Sequence, residues 1–145
     1  MRHYDELARY EREGFEVIGD KTWEDIDVGD CFDDTCYDIQ ERRDKINSYD
    51  LDWFMLRVRV LLNGHELGSH YLGGCLYEWN KVKDVLTDGT AEDCIGEALH
   101  EARREAAVLK GLLSSVLARE AEAIDNAAAI SIILFLSGWS CHQVR

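Results

Sequence analysis

The chain has 145 residues, 46% of them hydrophobic, with 29 acidic against 16 basic side chains and a formal net charge of −13. This length suits one α+β domain with a real core, residues 1–145, and the hydrophobic content excludes a disordered acidic chain. The negative charge works against direct binding of nucleic acid or anionic lipid and favours basic partner surfaces.

Proline is absent, although average usage of about 5% would supply roughly seven residues. Long uninterrupted helices are therefore expected. Residues 1–20 lack the apolar stretch of a signal peptide. With five cysteines at irregular spacing, this predicts a cytoplasmic chain with reduced thiols.

In chain order, Tyr4, Leu7, Glu11 and Phe15 follow helical spacing and predict a helix over 3–13, ended near Gly14. A short strand over Phe15–Ile18 and a turn at Gly19-Asp20 come next. Thr22 with Asp25 resembles a weak capping box. Phe32, Cys36, Ile39 and Ile46 have near-helical spacing, with Asp33 and Asp34 early and Arg42, Arg43 and Lys45 late, as a helix dipole favours.

The Asn63-Gly64 dipeptide predicts a hairpin of 53–62 with 65–77 within the region 51–80. Folding about that turn pairs Leu62 with His65, Leu61 with Glu66, Val60 with Leu67, Arg59 with Gly68, Val58 with Ser69, Arg57 with His70 and Leu56 with Tyr71. Gly68, Gly73 and Gly74 suggest a bulge or the close approach of another element.

After Asp88-Gly89, Thr90 can cap a long helix over about 91–124, with an apolar stripe from Ile95 through Leu99, Ala102, Leu109, Leu113 and Leu117. At 1.5 Å per residue it would reach about 51 Å, against a domain radius of gyration near 15 Å. A break at Gly111, Ser114 and Ser115 is one way out, and a homodimer through Leu109, Leu113 and Leu117 is the other. The uncharged run 127–141 is short for a membrane span and reads as core or subunit contact.

The chemistry-bearing residues do not form a catalytic signature. Asp25-x-Asp27 with Gly29 and Asp30 departs from a calcium loop, because glycine stands at the fifth position and Cys36 at the twelfth. Cys31 and Cys36 lack a second tight pair for zinc, and strict alternation sends His65 and His70 to opposite faces. Cys75, after Gly73-Gly74 and near His70, leaves only a minor thiol-enzyme reading. No cofactor, metal or enzymatic activity is expected.

The remaining signal is the distribution of charge. Residues 1–50 hold 16 acids and 7 bases, and no Lys or Arg interrupts the acids between Lys21 and Arg42. A solvated surface explains such a run, as does imitation of phosphates by Asp25, Asp27, Asp30, Asp33, Asp34 and Asp38, with Trp23 and Tyr37 as anchors.

The hairpin residues Asp52-Trp53-Phe54, Arg57-Val58, Gly64-His65-Glu66-Leu67-Gly68 and Tyr71-Leu72-Gly73-Gly74-Cys75 are similar in style to those of small phage and prophage accessory proteins. That resemblance implies an inhibitor of the anti-CRISPR or anti-restriction type. Its partner would be a host defence nucleoprotein complex, a CRISPR effector or restriction enzyme. The alternative is a structural or regulatory homo-oligomer built through the long helix and apolar C-terminal segment.

Overall fold

The computed structural model describes residues 3–139, with side chains described as far as Ile133. The chain divides into two compact units, one ending at Glu105 and the other starting at Ala106.

The first unit is α+β. Strands β1 (Asp5–Arg12), β2 (Phe15–Trp23), β3 (Leu51–Leu62) and β4 (His65–Glu78) form one antiparallel sheet in sequential order. Between β2 and β3 lie the short helices α1 (Val28–Cys31) and α2 (Ile39–Asn47). A 3₁₀ segment, Trp79–Leu86, leads into α3, which runs from Glu92 to Trp139.

The predicted helix over 3–13 is instead strand β1. Beyond an irregularity between Glu6 and Ala8, the residues alternate: Ala8, Tyr10 and Arg12 are half-buried, whereas Arg9 and Glu11 are exposed. Glu13 (φ 56°) and Gly14 (φ 82°) are both left-handed, so they make a two-residue hairpin turn rather than a helix end. The expected turn at Gly19-Asp20 lies inside β2, which continues to Trp23 and takes in Thr22, the proposed cap. Gly19 lies close under the Leu86 side chain, whose Cδ1 would stand 2.7 Å from an added Cβ and would have to shift.

The hairpin about Asn63-Gly64 is present, and Leu62↔His65 and Leu61↔Glu66 pair as expected. Beyond them the register shifts by one: Val60 pairs with Gly68, Arg59 with Ser69, Val58 with His70, Arg57 with Tyr71 and Leu56 with Leu72. The bulge at Leu67 brings Gly68 under α3. A Cβ there would meet Ala98 O at 2.4 Å and Ala102 N at 2.8 Å. The helix backbone thus lies directly on the strand.

The core forms on this face. Val17, Phe54, Leu56, Val58 and Val60 of the sheet meet Ile95, Ala98, Leu99 and Ala102 of α3 and Val82 and Val85 of the 3₁₀ segment. Polar clasps secure the first turns of α3: Arg12 with Glu92, Arg103 with Glu13, and Ser69 N with Glu101 Oε2 at 2.9 Å. Thr90 lies two residues before the helix start, where its Oγ1 is hydrogen-bonded at 2.9 Å to the Tyr77 hydroxyl, which gives its own proton to Asp88 Oδ2 at 2.6 Å.

The opposite sheet face carries charge. Asp20, only 2% exposed, accepts hydrogen bonds from Arg57 Nη2 at 2.8 Å and Arg59 Nε at 2.7 Å. The Arg57 guanidinium also stacks 3.5 Å from the Tyr4 ring centroid. Nearer the end of the sheet, Trp53 takes over this face, meeting Phe32 and donating Nε1–H to Ile26 O at 2.8 Å.

The second unit consists, in its described residues, of α3 from Ala106 onward. The expected break at Gly111, Ser114 and Ser115 does not occur. Both serines fold their hydroxyls back onto the helix, Ser114 onto Lys110 O at 2.9 Å and Ser115 onto Leu112 O at 2.7 Å, so the ladder continues through them. The run 127–141 is helical as far as Trp139, and Ser140 and Cys141 lie outside the described residues. Among the described residues, no helix is long and apolar enough to cross a membrane.

Two glycines of unit 1 test this packing against each other. Gly68→Ala should lower unfolding stability by about 1–3 kcal/mol, because the α3 backbone cannot yield as a flexible side chain would. Gly96→Ala, in open space on α3, should raise it by roughly 0.5–1 kcal/mol. Urea denaturation of both variants checks the pair.

Candidate functional site

The acidic segment has a local architecture. Asp27 caps α1 by accepting Gly29 N at 2.8 Å, and the same oxygen receives Arg43 Nη2 at 2.5 Å. Asp33 accepts both Thr35 N at 2.8 Å and Thr35 Oγ1 at 2.6 Å. Asp38 caps α2 through Glu41 N at 2.9 Å. The Arg43 guanidinium first, then the Gly29 amide, holds the Asp27 carboxyl below its ordinary range, and the Thr35 hydroxyl and amide do the same for Asp33.

α2 is shorter than the spacing of Phe32, Cys36, Ile39 and Ile46 suggested, because the chain is captured first by the Asp33–Thr35 turn and then by the Asp38 cap. Three of the six predicted contact aspartates are thus also turn or cap residues. Asp25, Asp30 and Asp34 are exposed and supply no cap.

Glu24 belongs to the same run in sequence but is 2% exposed. Its Oε2 accepts Gly74 N at 2.9 Å and its Oε1 accepts Ile26 N at 3.2 Å, so it secures the irregular part of β4 internally. Two arginines beyond the acidic run fold back onto it. Arg43 reaches Asp27, and Arg42 places its guanidinium 4.2 Å from the Tyr37 ring centroid and 4.4 Å from that of Phe32. Tyr37 is therefore partly covered, whereas Trp23 is 70% exposed.

Trp23 and Asp25 border a cleft of about 550 Å³. Trp79 and Tyr49, both exposed, meet edge to face across it at 5.7 Å between ring centroids. Lys21 is ion-paired with Asp52, and its Nζ stands 4.7 Å from the Trp79 ring centroid. Asp5 adds a further carboxylate to the lining. A neighbouring hollow of about 330 Å³ shares Trp23 and Asp25 and extends to Asp27 and Arg43, so the aromatic cleft and the start of the acidic segment have lining residues in common. The sequence reading found Trp23 but missed Lys21, Tyr49, Asp52 and Trp79. Their only signal is large aromatics in strongly polar surroundings, and they come from three separate stretches of chain.

The thiols divide by environment. Cys31 and Cys36 are exposed, whereas Cys75 and Cys94 are buried and each is pushed up to about 11, chiefly by desolvation. A neutral, buried thiol is a poor nucleophile, which counts against Cys75 as a reactive centre. The β4 bulge corrects the expected parity of the histidines. His65 aligns with Leu62 and His70 with Val58, on one face but separated by about 13 Å of strand. Among the described residues, no group of three His, Cys, Asp or Glu side chains is arranged to hold a metal ion.

Leu109, Leu113 and Leu117, the predicted oligomer contacts, are 46%, 60% and 55% exposed. No family model matches the chain, and no curated protein or solved structure matches it significantly.

Thiol chemistry checks the burial pattern. In a Cys141→Ser background at pH 8, iodoacetamide should modify two thiols of the folded protein, Cys31 and Cys36, and all four described thiols in denaturant. Rapid native labelling of Cys75 would contradict its burial.

Proposed function

We propose that the chain is a non-enzymatic binding protein whose acidic, aromatic-bearing surface occupies a basic nucleic-acid-binding surface of a host defence nucleoprotein complex. This is the mode of action of an anti-CRISPR or anti-restriction inhibitor from a phage or other mobile element. The observation that carries the reading is the exposure of Trp23, Tyr49 and Trp79 about a cleft lined by Asp5 and Asp25, which shares Trp23 and Asp25 with the hollow at Asp27. Exposed aromatics supply contact area at small entropic cost, and the carboxylates supply the sign of charge that a phosphate-binding groove accepts.

A second reading is a structural or regulatory homo-oligomer, and it has its own observation. Leu109, Leu113 and Leu117 lie among further exposed aliphatic residues of α3 with nothing in the described chain covering them. Such a face has an aggregation cost unless something occupies it. The two readings are compatible, because they use different units.

The test of the first reading uses residues that do not cap helices. Purified CRISPR effector and restriction complexes are titrated with the protein while their binding to labelled DNA is followed. The wild-type chain should displace DNA from one of them, and added salt should relieve the effect. The triple variant Asp25→Lys, Asp30→Lys, Asp34→Lys should weaken inhibition by at least about a hundredfold while retaining the far-UV spectrum. Full inhibition by the folded triple variant would refute the acidic-surface reading.

A further inference from the structure

The apolar face of α3 has a pattern fine enough to define a partner. Heptad spacing continues through Leu109, Leu113, Val116, Glu120, Ala123, Ala127 and Ile130. The flanking positions are Lys110, Leu117, Ile124 and Ser131 on one side and Leu112, Arg119, Asn126 and Ile133 on the other. The large aliphatic members of this set are between 46% and 68% exposed.

From this pattern we infer that α3 pairs antiparallel with a second copy of the same chain, in a register centred between Glu120 and Ala123. This rests on the homo-oligomer reading and adds its orientation and register.

In that register, Leu113 packs opposite Ile130 of the second copy, Val116 opposite Ala127 and Glu120 opposite Ala123. In the Val116–Ala127 and Glu120–Ala123 layers a larger residue therefore meets an alanine, and the outer Leu113–Ile130 layer is aliphatic on both sides. The flanks agree as well. Leu117 meets Ile124, Leu112 meets Ile133, Arg119 meets Asn126 and Lys110 meets Ser131, so apolar pairs with apolar and polar with polar throughout.

The competing arrangements lose this match. Sliding the antiparallel pair by one heptad toward the N-terminus places Arg119 against its own copy and Leu112 against Asn126. Sliding it the other way places Leu117 against Ser131 and Arg119 against Ile133. A parallel pair puts two Glu120 carboxylates in one core layer and Arg119 beside Ile124. A single polar residue at a core position commonly fixes register in this way, at some cost in stability.

The area is that of a small interface. Burial free energies of aliphatic side chains correspond to roughly 60–120 Å² each, so the exposed fractions on this face amount to roughly 300–550 Å² per copy. A pair would remove roughly 600–1,100 Å² of apolar surface from water, so its specificity rests on the match of register rather than on area.

Sedimentation velocity on the full chain measures association, and disulfide trapping measures orientation. With Cys31, Cys36 and Cys141 changed to Ser, one chain carries Glu120→Cys and a differently tagged chain carries Ala123→Cys. Mixed and oxidised, they should give mainly the mixed disulfide. Leu117→Cys with Ile124→Cys provides an independent second pair should the change at Glu120 perturb the core. Leu113→Glu with Leu117→Glu should weaken association by roughly ten- to a hundredfold or more and leave unit 1 folded.

A dimer whose Ala123→Cys chains link symmetrically to each other would overturn the antiparallel register and leave the homo-oligomer reading standing. A chain that stays monomeric at about 100 μM, where a pair of micromolar affinity would be mostly dimeric, would overturn both.

Discussion

The first unit depends on the approach of the α3 backbone to β4 at Gly68. A side chain at that position would occupy the space of Ala98 O and Ala102 N, so the helix would have to lift off the sheet. Lifting it would open the contact between Val58 and Val60 on one side and Leu99 and Ala102 on the other, where every residue is buried. The Leu67 bulge places Gly68 there, and the polar clasps at Arg12–Glu92 and Glu13–Arg103 hold the same helix from the far edge of the sheet. Backbone fit and core packing are therefore one constraint.

Charge in this protein has three distinct uses. Asp20 is neutralised beneath Arg57 and Arg59 on the sheet face, where removal of one partner would strand the others at low dielectric. Glu24 acts through hydrogen bonds to backbone amides inside the fold. Asp27, Asp33 and Asp38 shape the connection between β2 and β3 while remaining exposed. A segment that is uniformly acidic in sequence thus contains a buried structural acid, three turn or cap acids and three exposed acids without a capping role.

Much of the fold was legible where local chemistry and tertiary packing agree. Asn63-Gly64 announced its hairpin, and the Ile95–Leu99–Ala102 spacing announced the face of α3 that meets the sheet. Reading failed at β1 because Leu7, Glu11 and Phe15 satisfy helical spacing by coincidence, while Glu13 takes a left-handed conformation that its side chain does not advertise. The hairpin register failed by one residue because a bulge is decided by what packs on the strand, here a helix some thirty residues later. The aromatic cleft was out of reach for a related reason: Trp23, Tyr49 and Trp79 become neighbours only after β2, α2 and β4 are in place. Arg42 and Arg43 follow the acidic run in sequence, and only the turn of α2 carries them back over it.

The Lys21 ammonium, held over Trp79 by Asp52, has the same chemistry as the cationic side chain that an aromatic and acidic cleft would attract. It is therefore a tethered competitor. A basic guest must either displace it at the high effective concentration of a short covalent tether or settle beside it against Trp23 and Asp25. If the cleft binds as proposed, lone cations such as free lysine or a polyamine would be poor guests, because they offer no more than Lys21 already provides. A guest adding backbone or apolar contacts along the cleft would have the advantage, and the internal ion pair would then favour extended partners over small ones.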